Sequence, residues 1–179
     1  MILWALLAVP VALAAVSALL PGPRAVLALA ALGSVAVGVL SGFAIVSALD
    51  VPLSAGAGNL RLDALSAFHL GLVATVFAFS SLYARAHFAG AIAQGRFTRA
   101  TGRRFGAAWF AFLASMILVL LSNNVGLLWV AMETTTLASA LLVCLEFDAA
   151  SVRAAWTYLM ICSVGIAMAL LGTFLLAGE

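Results

Sequence analysis

The sequence contains no lysine, and charged residues make up only 8% of its 179 positions. A soluble globule carries roughly 25% charged residues to solvate its surface. A chain this short cannot hide the shortfall in a large core, so the solvent must be lipid. The scarcity of charge also empties the net charge of +2 of any nucleic-acid meaning. The two cysteines, Cys144 and Cys162, lie in apolar runs with no CxxC and no histidine at ligand spacing. That pattern suggests neither a disulfide framework nor an iron–sulfur site, and they are expected to be packing residues. The N-terminal Met-Ile-Leu-Trp has no basic segment before its apolar run, so a retained first helix is expected rather than a signal peptide. There is no glycine-rich phosphate loop, no metal-ligand cluster and no nucleophile–base pair, so no metal, cofactor or catalytic centre is expected.

What is present is apolar: 66% of the residues. A bilayer core of about 30 Å needs about 20 residues of helix, and each span must satisfy its own backbone hydrogen bonds. Polar breaks then divide the chain into a single all-α membrane domain of six helices, near 2–20, 24–48, 63–84, 105–121, 125–145 and 152–177. Pro21-Gly22-Pro23 ends the first, the second ends near Asp50 and Pro52, and residues 54–59 form a loop. Asp63 suits an N-cap. Asn123 and Asn124 turn the fourth helix tightly into the fifth.

The eight arginines orient this bundle. Arg24, Arg85, Arg96, Arg99, Arg103, Arg104 and Arg153 fall in the odd-numbered connections, and Arg61 alone in an even one. By the positive-inside rule the seven face the cytoplasm and both termini lie outside.

One acid is out of place. Asp50, Asp63, Glu146, Asp148 and Glu179 lie at loops or ends, whereas Glu133 falls in the middle of the fifth helix. A charge there costs on the order of 3 kcal/mol, and such residues by default mark ion or proton pathways. The competing reading is a protonated Glu133 that only tethers two helices. The face it shares carries Gly126, Trp129, Val130, Thr136 and Ala140, with Thr136 a candidate hydrogen-bond donor to the carboxylate. No arginine lies at its depth, so a countercharge must come from elsewhere. His69 is expected near an interface, bonded to a carbonyl or water. Gly38 with Gly42, and Gly165 with Ala169 and Gly172, are expected to be close-packing surfaces.

The segment SNNVGLLWVAMETTTLASALLV (122–143) resembles the antiporter-like membrane subunits of respiratory complex I and related hydrogenases. AAWTYLMICSVGIAMALLGT (154–173) is most similar to the F component of hydrogenase-4, of the formate hydrogenlyase type, and LDALS (62–66) is similar to the same family. The resemblance spans the third to sixth helices. It implies redox-coupled proton translocation in a bacterial inner membrane, with other membrane subunits as partners. It gives Glu133 the place of the family carboxylate that pairs with a lysine on a seventh helix. It also implies that this is the N-terminal portion of such a subunit, since the family has about fourteen helices, including inverted repeats. The family lysine in the A-A-x-K motif opening the sixth helix is replaced by Thr157. A scaffold without transport, or part of a multi-subunit cation/proton antiporter, are the competing expectations.

Overall fold

The computed structural model describes residues 1–49 and 51–177. Asp50 and Glu179, two of the acids expected at loops or ends, lie outside the described residues. Six α-helices and one small hairpin follow in order: α1 Ile2–Leu19, α2 Pro23–Ala48, β1 Leu53–Ala55, β2 Leu60–Leu62, α3 Ala64–Ala93, α4 Arg99–Leu121, α5 Val125–Val143 and α6 Ala149–Ala177. All six helices are long and apolar enough to cross a membrane. At the starts of α3, α4 and α5 a side chain satisfies one of the first free N–H groups. Asp63 accepts from the Ser66 N–H at 2.9 Å, Asn124 from Leu127 at 3.2 Å and Thr98 from Thr101 at 3.2 Å. Pro23 occupies the first turn of α2, where a missing N–H costs nothing.

Two boundaries differ from the sequence expectation. α3 runs past Arg85 to Ala93, and α4 begins at Arg99 rather than near 105, so most of the arginine-rich stretch is helical. The apolar run ends where lipid ends, but a helix satisfies its backbone equally well in interfacial water and need not stop there. The expected loop 54–59 is part of an antiparallel hairpin: Ser54 and Ala55 belong to β1 and residues 56–59 make the turn, with Leu53 opposite Leu62 and Ala55 opposite Leu60. Strand alternation buries Leu60 and Leu62 and exposes Arg61.

α4 is the hub and packs on α1, α2, α3 and α5, while α2 also packs on α3 and α6 on α5. Leu6, Val37, Leu70, Phe77, Phe110, Leu113 and Ile117 form the main core. Phe97, Phe105, Leu27 and Leu145 form a second cluster at the arginine end. Buried hydroxyls bind the helices across the bilayer: Ser34 and Ser81 are 2.8 Å apart, and the Trp109 indole N–H donates to Ser81 at 2.9 Å. Close approach is made at Gly33 and Gly106. A Cβ on Gly106 would come within 2.6 Å of Val26 and 2.7 Å of Ser17, and one on Gly33 within 2.8 Å of Phe110. The glycines singled out from the sequence are not packing sites within the chain. Gly38, Gly42, Gly165 and Gly172 have open space where a Cβ would stand. A GxxxG pattern gives a close-packing surface without saying which neighbour uses it.

The hairpin tip docks on the α4–α5 turn, Asn123 donating through its backbone to Asn59 O and through its side chain to Gly58 O, both at 2.8 Å. Trp4, near the start of α1, approaches the same tip at Gly56. The N-terminus, the hairpin and this turn therefore share one end of the bundle. At the other end Arg103 donates to the carbonyls of Leu20 (3.1 Å) and Leu19 (3.4 Å), closing the C-terminus of α1. Arg104 lies over the Phe147 ring at 4.7 Å.

Candidate functional site

Glu133 is the ninth residue of the 19-residue helix α5, about 12 Å of helical rise from its start. It thus stands at the middle of α5. What the sequence could not give is its direction, because an all-apolar helix has no moment to orient it. In the structure Ala131 and Ala138 are buried toward the hub, while Val130, Leu137 and Leu141 are each more than half exposed. Gly126 is exposed too. At helical spacing Gly126, Val130, Glu133, Leu137 and Leu141 form one stripe. Glu133 is its half-buried member, on the margin between this open stripe and the packed side of α5.

The face expected around Glu133 therefore splits. Thr136 and Ala140 belong to its buried part, and Gly126 and Val130 to the open part. Thr136 does not serve as the expected donor to the carboxylate: its hydroxyl donates to the Met132 carbonyl at 3.2 Å. The cause is local. A helical threonine reaches its own preceding turn more readily than a side chain three residues back. Thr134 and Thr135 do the same, toward Val130 and Met132. Thr136 keeps its oxygen lone pairs and can accept.

Trp129 stands one turn before Glu133. Its indole N–H is buried and finds no acceptor among the described residues. An unmet buried donor costs about 1–3 kcal/mol, so this is a position where water or a neighbouring oxygen is wanted. Trp129 lines a cleft of about 70 Å³ between α5 and α6 with Met132, Leu170 and Thr173. That volume admits water, which needs about 10–15 Å³ of such space. The tryptophan was visible as a neighbour of Glu133 in sequence, but its stranded donor was not.

Thr157, at the position of the family lysine, is exposed on α6. The height at which the two helices meet is set by a hydrogen bond of 2.9 Å between Ser139 and Tyr158. Thr157 is therefore level with the region of Ser139, roughly 9 Å along the helix from Glu133. The structure does not bring the two together. His69 donates to or accepts at the Leu65 carbonyl, 2.9 Å away, and is exposed at the start of α3. Cys144 and Cys162 are free. Among the described residues no group of three His, Cys, Asp or Glu side chains is placed to hold a metal ion.

The extramembrane acids are held differently. The backbone N–H of Ser66 keeps the Asp63 carboxyl below its ordinary value, and the Ser151 hydroxyl, with its N–H, does so for Asp148.

No family model matches the chain. It is similar to a hydrogenase-4 component F homolog of Methylacidiphilum infernorum (isolate V4), at 38% identity over 96 residues, which are 54% of this chain and 20% of that protein. The matched part thus spans about a fifth of the length of the curated relative. With six spanning helices, this similarity supports a multi-pass membrane protein.

Proposed function

We propose that the chain is a membrane subunit, or a portion of one, in a hydrogenase-type redox complex of the complex I-related kind. In this reading it sits in a bacterial inner membrane, and Glu133 relays protons across it. The observation that carries the reading is the carboxyl at mid-span on the open stripe of α5. A side chain this expensive to bury is retained where it gains and loses a proton. Its partner must come from outside the six helices, since every arginine lies near a membrane surface. A cation on a helix of a neighbouring subunit, seated on the stripe, would favour the carboxylate, and its withdrawal would return the proton to it. Trp129, one turn before Glu133, and Thr136, three residues after it, supply a donor and an acceptor for water that brings the proton in.

Glu133→Gln tests this, because it keeps volume and hydrogen bonding and removes titration. Proton translocation per electron pair in membrane vesicles should fall severely at normal levels of assembled complex. Normal pumping by the Gln variant would leave the scaffold reading, which Thr157 in place of a lysine already favours. Sodium-coupled transport in the same vesicles would instead point to the cation/proton antiporter reading.

The orientation belongs to the same proposal: the hairpin end outside and the seven arginines cytoplasmic. Gly56 and Gly95 have left-handed φ values of 61° and 70°, so Ser54→Cys and Gln94→Cys are the better labelling sites, in a background lacking Cys144 and Cys162. An impermeant thiol reagent applied from outside should label Ser54→Cys alone. Labelling at Gln94→Cys alone reverses the topology.

A further inference from the structure

A second polar site lies at the arginine end of the bundle. Arg24, in the first turn of α2, and Arg85, on α3, line one pocket of about 230 Å³ together with Leu27, Ala89 and Ile92. Among the described residues no carboxylate lines it. Other arginines at this end are occupied: Arg103 on the α1 carbonyls, Arg96 on Gln94, Arg104 on the Phe147 ring. Among the described residues Arg24 and Arg85 form no such bond. Two guanidinium groups held toward one hollow repel each other unless an anion bridges them, and their planar forks match phosphate oxygens. α2 adds its positive end, because the N–H groups of Arg24 and Ala25 precede the first intrahelical bond, made by Val26 to Gly22.

Height and floor narrow the ligand. Arg85 lies 21 residues beyond Ala64, the first residue of α3, roughly 32 Å of rise and about one hydrocarbon thickness from the hairpin end. The pocket is thus level with the lipid headgroups. Its floor is apolar, and Leu27 belongs to the buried cluster beneath. A free phosphate ion has no use for that floor, whereas the glycerol and first methylenes of a lipid do. We infer that the Arg24–Arg85 pocket binds the phosphodiester of an anionic phospholipid, with the lipid body lying along Leu27, Ala89 and Ile92.

Native mass spectrometry of the full chain in mild detergent reads the retained lipid, with phosphatidylglycerol and phosphatidylcholine as probes. The wild type should retain one phosphatidylglycerol in preference to phosphatidylcholine. R24Q/R85Q should weaken that retention on the order of tenfold, while R96Q/R99Q, which removes the same charge outside the pocket, leaves it unchanged. Equal retention by R24Q/R85Q, or an equal loss in R96Q/R99Q, overturns the site. Displacement of the lipid by millimolar inorganic phosphate would make it a free-anion site and overturn the lipid assignment. A readout that needs no variant guards against failed folding. Phosphatidylglycerol with a photoactivatable headgroup, in vesicles with the wild type, should cross-link to residues 24–27 and 85–92. Cross-links confined to other segments overturn the inference.

Discussion

α4 and α6 are both apolar enough to span a bilayer, yet their surroundings are opposite. In the most apolar window of α4, 44% of the residues are buried within the chain, and in that of α6 none are. Apolarity places both in the membrane but associates neither, because lipid tails are as apolar as any neighbour. Shape and polar bonds make the difference. α4 presents Gly102 and Gly106 where α2 and α1 approach, and Trp109 where Ser81 waits. α6 carries Gly165 and Gly172 with nothing packed on them. Its fastening to α5 includes a hydrogen bond between Tyr158 and Ser139. The candidate carboxyl lies at the transition between these regimes, on the helix that joins hub to periphery.

The strongest way to break this comparison is to add one methyl group to each helix. Gly106→Ala drives a Cβ to within 2.6 Å of Val26, and overpacking of this kind costs about 1–3 kcal/mol. Gly165→Ala meets open space and should be neutral or stabilising by up to about 1 kcal/mol through helix propensity. Thermal midpoints in detergent should move in opposite directions or only for Gly106. Equal shifts would mean that α6 is packed after all.

Arginines sharpen the contrast with a smaller effect. Arg103→Gln releases the last carbonyls of α1 and should cost about 1 kcal/mol. Arg153 is exposed at the start of α6, and its Gln variant should leave the midpoint where it is. A larger shift for Arg153→Gln would assign α6 a partner at that end.

The smallest expected effect comes from the caps. Asp63 caps α3, a helix packed on the hub side, and its carboxyl is held below the ordinary 3.8 by the Ser66 N–H. A lowered value in the folded state means the contribution is complete above the ordinary value and is lost as pH falls through the folded one. Acid titration of stability should therefore show a loss of up to about 1 kcal/mol below pH 4. Asp63→Asn, which caps without titrating, should abolish that loss. A pH profile unchanged by Asn would remove Asp63 as its source.

The sequence alone determined the number of apolar helices, the collection of seven arginines at one end, the cap at Asp63 and the place of Glu133 at the middle of its helix. Each of these depends on order along the chain, on run length, charge placement or local hydrogen bonding, and lipid makes run length decisive. Only the tertiary structure decided where α3 and α4 end, since helices continue into interfacial water without an apolar signal. It also decided which glycines are touched, that Thr136 bonds backward to Met132, that Thr157 stands apart from Glu133, and that Arg24 and Arg85 line one pocket. The reason is that a helix apolar on every side has no preferred direction in lipid. Its facing is settled by neighbours distant in sequence, here the close approach of α1, α2 and α4 at Gly33 and Gly106, which leaves the Glu133 stripe of α5 turned outward.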